Sequence, residues 1–180
     1  MGAALTARRI AGGLAIAGGS VVAVVTLLGI AGLQPFKLNR TSSLPHGLYV
    51  RTFEPPRVGT IVWFPLPAAL KTYVAGFPGA AQWFEQPTNG LLKPVVGATG
   101  DTICRSPEGT FSLNGHTLGR APAAGPDGRP LPSWEGCRRL GEDELAVFSD
   151  RLADSLDSRL YGPVAAAGAH VYRPLWTDAQ

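Results

Sequence analysis

One uncharged run near the start of the chain constrains the fold more than any other feature. Residues 10–33 read IAGGLAIAGGSVVAVVTLLGIAGL and contain no charged side chain. As a helix, these 24 residues would be about 36 Å long, enough to cross the ~30 Å hydrocarbon core of a bilayer. A cleaved signal peptide is the rival interpretation, but its apolar segment usually has only about 7–15 residues. We therefore predict an uncleaved transmembrane anchor over residues 10–33.

The charges that flank this run predict its orientation. Arg8 and Arg9 precede it, and positive residues favour the cytoplasmic side of a membrane. The sequence thus predicts a cytoplasmic N-terminus over residues 1–9 and an extracytoplasmic domain over residues 34–180. We expect a single-pass protein of the inner (cytoplasmic) membrane, with its main domain in the periplasm or outside the cell.

The composition of the remaining chain favours short strands over long helices. The 180 residues include 23 glycines and 16 prolines, which interrupt helices and mark turns. The 16 Lys and Arg residues exceed the 13 Asp and Glu residues only slightly, for a net charge of +3. The arginines are dispersed, and neither a zinc-finger spacing nor a basic helix is present. Nucleic acid is therefore not an expected partner.

Runs of β-branched and aromatic residues predict a mainly β fold. We predict strands over residues 47–53, 58–66, 144–150 and 169–176, a helix over 68–76, a strand, turn and strand over 91–106, a hairpin over 109–118, and a loop over 119–137. The hairpin prediction rests on Asn114-Gly115, a pair that suits a tight turn between strands. The expected fold is a twisted or barrel-like β-sheet.

The chain has two cysteines, Cys104 and Cys137. Two thiolates alone do not make a structural zinc site, and an extracytoplasmic domain lies in an oxidising compartment. We therefore predict a disulfide that closes a loop of 33 residues (137 − 104) and adds about 3–4 kcal/mol. The alternative is a pair of unbonded buried thiols.

The familiar catalytic motifs are absent from this sequence. None of the three histidines, His46, His116 and His170, has the setting of a positioned base in a Ser-His-Asp triad. The sequence has neither an HExxH motif nor a phosphate-binding glycine loop. We expect no metal site and no cofactor.

One of the three lysines has an unusual setting. Lys37 follows the apolar run closely and Lys71 falls in the predicted helix, whereas Lys93 is flanked by Leu91, Leu92, Val95 and Val96. If Lys93 points inward, desolvation lowers its pKa, and a neutral amine can take a proton from a serine hydroxyl. The alternative is that Lys93 points to solvent from an edge strand.

Three segments together resemble the type I signal peptidase superfamily. They are SSLPHGLY at residues 42–49, LLKPVVGATGD at residues 91–101 and SLDSRLYGPV at residues 155–164. They match its Ser-Met-x-Pro, Lys-x-x-x-Gly-x-x-Gly-Asp and Ser-x-Asp-Ser-Arg-x-x-Gly-x-Val boxes in order, and an N-terminal anchor precedes the first box. The greatest similarity is to the TraF-type branch, the proteases that serve conjugal transfer.

The resemblance implies a catalytic role for three residues. Ser43, which precedes Leu-Pro, corresponds to the nucleophile, and Lys93 corresponds to the general base. Thr41 corresponds to the residue whose hydroxyl forms the oxyanion hole together with the backbone N–H of Ser43.

Three more residues correspond to supporting positions. Ser155 matches the serine that hydrogen-bonds and orients the lysine. Asp157 and Arg159 match an ion pair that supports the site. Ser42 has no implied role and is interpreted as a turn residue.

The sequence departs from the family pattern at three positions. Leu44 replaces the commoner Met with a side chain of similar volume. Thr99 replaces a proline in the glycine-rich turn. Pro94 follows Lys93 and removes a backbone donor, so we expect Lys93 on an edge strand or at the end of a strand.

The resemblance implies a serine endopeptidase with a Ser/Lys dyad. It would process exported, membrane-bound precursors, above all a pilin precursor in conjugal transfer, with cyclisation of the product as one outcome. One alternative is a general signal peptidase, and another is a non-catalytic, membrane-tethered subunit of a pilus or secretion machine. The expected partners are the precursor, the lipid bilayer and, as the resemblance allows, subunits of the transfer apparatus.

Overall fold

The computed structural model describes residues 34–77 and 90–178. The predicted cytoplasmic segment (1–9) and the predicted anchor (10–33) lie outside these residues. Over the two described ranges, none of the helices has the length and apolar character needed to cross a membrane.

Eleven strands and two short helices form the described part of the chain. They are β1 (Phe36–Asn39), β2 (Gly47–Arg51), β3 (Ile61–Pro65), α1 (Ala68–Ala75), β4 (Gly90–Gly97), β5 (Thr102–Arg105), β6 (Thr110–Leu113), β7 (His116–Arg120), β8 (Gly136–Arg139), β9 (Glu144–Val147), α2 (Ser158–Tyr161), β10 (Val164–Ala165) and β11 (His170–Thr177). The predicted mainly β class is confirmed.

The strands form two sheets in which every pair of neighbours is antiparallel. The large sheet has the order β1-β2-β11-β3-β4-β9-β10, and the small sheet has the order β7-β6-β5-β8. Each sheet ends in two edge strands within the described residues, so neither closes into a barrel there. The interior position of β4, between β3 and β9, brings its inward side chains into the core.

Most of the predicted elements are present within a few residues of the expected bounds. The hairpin turns at Asn114 and Gly115, which adopt φ angles of 49° and 83°. This left-handed conformation is one that Asn and Gly tolerate, which is why the Asn-Gly pair indicated the turn. The helix α1 ends at Ala75, one residue before the predicted end.

The strand β8 was missed because its sequence gives no signal. All four of its residues, Gly136–Arg139, are exposed, so no alternation of apolar and polar residues marks them. The strand forms because it pairs with β5, where Cys137 lies directly opposite Cys104. The two cysteines are bonded, with their Cα atoms 4.0 Å apart. The short elements β1, α2 and β10 were also not predicted.

The expectation that Lys93 lies on an edge strand or at a strand end is wrong. Lys93 lies in the middle of β4, an interior strand, and is paired with Val62 of β3. Pro94 is tolerated because its missing donor faces the point where β9 ends. There the Pro94 carbonyl accepts a hydrogen bond from the Phe148 N–H at 3.1 Å, one residue beyond the end of β9 at Val147.

The two sheets share part of the apolar core. Val62, Val95 and Val147 of the large sheet form the centre of one buried cluster. Ile103 and Phe111 of the small sheet pack in another, together with Leu140, Ala146 and Phe148. The small sheet is therefore packed against the β9 end of the large sheet.

Candidate active site

Ser43 lies in the turn between β1 and β2, and hydrogen bonds from the Asn39 side chain hold this turn in place. The Asn39 Nδ2 donates to the carbonyl oxygens of Thr41, Leu44 and Pro45, at 2.9, 3.1 and 3.0 Å. Its Oδ1 accepts from the backbone N–H and the hydroxyl of Thr41, at 3.3 and 2.9 Å. One buried amide therefore satisfies the backbone groups of a turn that no sheet ladder stabilises. Ser43 itself is only 1% exposed.

Lys93 reaches Ser43 from β4. Its side chain is 5% exposed, and its Nζ donates a hydrogen bond to Ser43 Oγ. Burial lowers the pKa of Lys93 to about 8; Asp157 opposes this shift and Arg159 adds to it. Because the two charges of that pair act in opposite directions, burial decides the outcome. Near pH 8, the Lys93 amine is therefore neutral in a large fraction of the protein molecules.

Thr41 is exposed and lies next to Ser43. Its Oγ1 is 3.3 Å from Ser43 Oγ and donates to Asn39 Oδ1. To donate to an oxyanion, the Thr41 hydroxyl would have to turn away from Asn39. The oxyanion role of Thr41 stays a prediction.

Ser155 lines the same cavity as Ser43 and Lys93 but makes no hydrogen bond to the lysine. Its Oγ is buried and has no hydrogen-bond partner among the described residues. The predicted bond that would orient Lys93 is therefore not formed here, and this role of Ser155 stays a prediction.

Asp157 and Arg159 form a buried ion pair. Arg159 Nε donates to Asp157 Oδ1 and Arg159 Nη2 donates to Asp157 Oδ2, both at 2.9 Å. Arg159 also donates to the carbonyl oxygens of Arg120, Leu152 and Ala153. The pair thus holds the segment between β9 and α2, and Asp157 also caps α2 by accepting from the Arg159 N–H.

Ser149 completes the site and was missed by the sequence analysis. Its Oγ donates to the carbonyl oxygen of Ser43 at 2.6 Å, although the two residues are 106 positions apart. Its backbone N–H donates to Asp157 Oδ2 at 3.2 Å. No motif marks a serine with this role, because it follows only from the way the strands pair. The role of Asn39 in holding the Ser43 turn was likewise not predicted.

A cavity of about 520 Å³ lies beside Ser43 and Lys93. It is lined by β1, β4 and the segment before α2; the residues include Lys37, Leu38, Trp63, Leu91, Leu152 and Leu156. Lys37 Nζ is 4.5 Å from the centroid of the Trp63 ring, and burial lowers the pKa of Lys37 to about 8. A mostly apolar cavity of this size has room for side chains of an extended peptide.

Within the described residues, the histidines and the other possible metal ligands do not form a second site. His46 pairs with Asp178 at 3.4 Å, and its ring contacts Ser42 rather than Ser43. His170 stacks on Trp63 and contacts Arg51, and His116 is exposed at the start of β7. No cluster of three or more His, Cys, Asp or Glu side chains that could hold a metal occurs in residues 34–77 and 90–178.

Comparisons with known proteins agree with the three sequence boxes. A family model described as "Signal peptidase, peptidase S26" matches residues 13–171. Two relatives, both named "Plasmid transfer protein TraF" and both from Escherichia coli, are similar over most of their length. One is 34% identical over 163 residues, covering 84% of this chain and 86% of the relative. The other is 33% identical over 165 residues, covering 87% and 89%.

One solved structure is also similar. It is a signal peptidase I from Enterococcus faecalis, with 19% sequence identity and a TM-score of 0.34. The match covers 70% of this chain and 100% of that chain.

Proposed function

This chain belongs to peptidase S26, the signal peptidase family, and we propose that it is a serine endopeptidase whose nucleophile is Ser43 and whose general base is Lys93. The observation that carries the proposal is the hydrogen bond from Lys93 Nζ to Ser43 Oγ. Both side chains are buried, and the pKa of Lys93 is lowered to about 8, so the amine can accept a proton near neutral pH.

In the proposed mechanism, neutral Lys93 removes the proton from Ser43 Oγ as this oxygen attacks the substrate carbonyl carbon. The negative charge that forms on the carbonyl oxygen is stabilised by the Ser43 N–H and the Thr41 hydroxyl; the loss of one such donor typically costs ~10²–10³ in turnover. The Lys93 ammonium then gives its proton to the leaving amine, and the C–N bond breaks. An ester between the substrate and Ser43 remains.

The second half of the reaction depends on which nucleophile resolves the ester. If water attacks, with Lys93 again taking the proton, the product is a linear, cleaved chain. If the N-terminal amine of the substrate attacks instead, a new peptide bond forms and the product is cyclic. The names of the relatives, plasmid transfer proteins, support a precursor of the transfer machinery such as a pilin as the substrate. The family itself supports the broader alternative, a general signal peptidase.

The outer face of the large sheet supports a location at a membrane surface. Phe36, Leu38 and Trp176 point outward and are 41%, 57% and 69% exposed. Leu38 lies opposite Leu48 of β2, which lies opposite Trp176 of β11, so an apolar row crosses three strands. The apolar run of residues 10–33 ends three residues before Phe36. We propose that this run anchors the protein in the inner membrane, with residues 1–9 in the cytoplasm and the catalytic domain outside it.

Loss of either dyad residue tests the proposed function. The full-length protein and its Ser43→Ala and Lys93→Ala variants would be incubated in proteoliposomes with a pilin precursor that retains its signal sequence. We expect both variants to lose processing by at least ~10³-fold while each still folds and unfolds in a cooperative transition. Ser42→Ala is the matched control, because Ser42 is exposed and contacts His46 rather than Lys93. Processing by both dyad variants at the normal rate would support the non-catalytic assembly subunit instead.

Mass spectrometry of the processed pilin separates the two outcomes of the second half-reaction. A cyclic product has one water less than the linear product of the same cleavage. Detection of the linear mass alone would remove cyclisation from the proposal and leave the peptidase activity in place.

A further inference from the structure

Ser149 lies where three parts of the site meet. Its neighbour Phe148 donates its backbone N–H to the carbonyl oxygen of Pro94, the residue that follows Lys93 on β4. The Ser149 N–H donates to Asp157 Oδ2, and the Ser149 carbonyl accepts from Arg159 Nη2 at 3.5 Å. Because both backbone groups of Ser149 are held by the ion pair, its position relative to β4 is fixed.

The Ser149 side chain then extends from this fixed point to the nucleophile. Its hydroxyl donates to the carbonyl oxygen of Ser43 at 2.6 Å, and Ser149 is 1% exposed. Asn39 holds the carbonyls of Thr41, Leu44 and Pro45 but not that of Ser43. Ser149 therefore holds the carbonyl of Ser43, which Asn39 does not hold.

We propose that Ser149 is a positioning residue that holds the Ser43 turn at the distance from β4 at which Lys93 reaches the nucleophile. The inference rests on the proposed dyad and adds to it the contact that sets its spacing. Fixing the Ser43 carbonyl fixes the backbone rotation at Ser43, and so the direction of both its Oγ and its N–H. The same bond thus aligns the attacking oxygen and the amide that stabilises the oxyanion.

The Asp157–Arg159 pair acts on the nucleophile through this serine. Neither charged side chain contacts Ser43, and their opposite charges shift the pKa of Lys93 in opposite directions. The Asp157–Arg159 pair affects the position of Ser43 indirectly. It holds the Ser149 backbone, and the Ser149 hydroxyl holds the Ser43 carbonyl. This route explains why an ion pair with no contact to the reacting atoms lies next to the site.

The test compares two buried serines in the full-length protein. Ser149→Ala removes the donor to Ser43, and Ser149→Thr keeps it. The matched control is Ser158→Ala, because the Ser158 Oγ is also buried and accepts from the Val147 N–H at 2.8 Å but has no contact with Ser43 or Lys93. For each variant, kcat and KM for the same pilin precursor, the pH dependence of kcat and the midpoint of thermal unfolding would be measured.

We expect Ser149→Ala to lower kcat by about 10²-fold, the usual effect of a small misplacement of reacting groups. KM should stay within about twofold, because no substrate contact is removed. The pH at which kcat is half-maximal should not move, because Ser149 acts on position rather than on the charge of Lys93. Ser149→Thr should restore most of the lost turnover. Ser158→Ala should lower the unfolding midpoint to a similar extent but leave kcat unchanged.

The inference is overturned if folded Ser149→Ala keeps the normal kcat, or if Ser158→Ala loses as much turnover. Should Ser149→Ala fail to fold, Ser149→Cys takes its place, since it packs similarly but is a weak donor; normal turnover there also overturns the inference. Ser43→Ala and Lys93→Ala are measured in the same assay. Activity in those two variants would remove the proposed function, whereas their inactivity together with a fully active Ser149→Ala would remove only the positioning role.

Discussion

The large and small sheets are stabilised in different ways. The large sheet and the segments joined to it bury Asn39, Lys93, Asp157 and Arg159, all polar or charged. The small sheet buries Ile103 and Phe111 together with one charged side chain, Arg105, and is closed by a disulfide between neighbouring strands. Burial of polar groups is costly unless each one is hydrogen-bonded, whereas a disulfide adds stability without polar burial.

On the proposed function, the large sheet is the part of the chain in which the catalytic site lowers stability. A lysine that serves as a base must be desolvated, and its turn must be held by side chains that are themselves buried. The small sheet carries none of the dyad, so its residues need only pack. Substitutions next to Ser43 and Lys93 should therefore change turnover, and substitutions in the small sheet should change stability alone.

A large loss of stability should come from breaking the buried ion pair. Asp157→Asn leaves the Arg159 charge without its partner in a buried site, which typically costs about 3–5 kcal/mol. Thermal and denaturant unfolding of the full-length protein measure this loss. Arg173→Gln is the control, because it breaks an exposed pair with Glu54 and should cost at most about 1 kcal/mol. Equal losses of unfolding free energy in the two variants would contradict the prediction that a buried ion pair contributes more than an exposed one.

Loss of the disulfide should come next and should separate the two sheets. The double variant Cys104→Ala, Cys137→Ala opens a loop with a sequence separation of 33 residues, which should cost about 3–4 kcal/mol. We expect kcat to stay normal at temperatures where this variant is folded, because neither cysteine contacts the dyad. A drop in kcat without unfolding would show that the small sheet controls the site.

The sequence predicted the parts of this comparison that depend on local pattern. The alternating strands and the Asn114-Gly115 hairpin follow from residue types that act over a few positions. The pairing of Ser43 with Lys93 could be named in advance because both lie in recognisable boxes. It did not follow from composition or periodicity, which left a solvent-facing lysine as an open alternative.

What the sequence could not predict depends on strands that meet across the fold. Ser149 contacts Ser43 only because β9 pairs with β4 and the Ser43 turn folds over its end. The edge-strand expectation for Lys93 was wrong for the same reason. It rested on the missing donor of Pro94, and the sequence does not show that β9 ends beside this residue. The strand β8 is exposed throughout and forms only against β5.

Removing the buried amine should stabilise the large sheet while it destroys activity. The pKa of Lys93 is about 8 in the folded chain against 10.5 for the free side chain. Below pH 8, Lys93 is protonated in both the folded and the unfolded chain, so folding carries the full free-energy cost of burying the charge. This cost falls as pH rises from 8 to 10.5. Lys93→Met should therefore gain up to about 3 kcal/mol at pH 7 and nothing above pH 10.5. An unfolding series over pH 6 to 11 measures the difference, and a variant less stable than the parent at pH 7 would contradict it.

The pH dependence of turnover should report the same group. Because the reaction needs neutral Lys93, kcat should rise about tenfold per pH unit below pH 8 and level off above it. The double cysteine variant should give the same curve, since the small sheet does not contact the amine. A midpoint near the ordinary lysine pKa of 10.5 would mean that Lys93 is not desolvated in solution.

The smallest effect should come from the ion pair that joins the two sheets. Arg138 of β8 pairs with Glu144 of β9, but the two side chains are 48% and 28% exposed. Exposed pairs contribute little, so Arg138→Gln should cost at most about 1 kcal/mol and leave kcat unchanged.

The sheets are joined instead by packing: the Phe111 and Phe148 rings stack with their centroids 6.3 Å apart. Phe111→Ala is the informative counterpart and should cost about 3–5 kcal/mol, because it leaves a cavity in that shared core. If Arg138→Gln proved as damaging as Phe111→Ala, the junction of the sheets would depend on charge rather than on apolar packing.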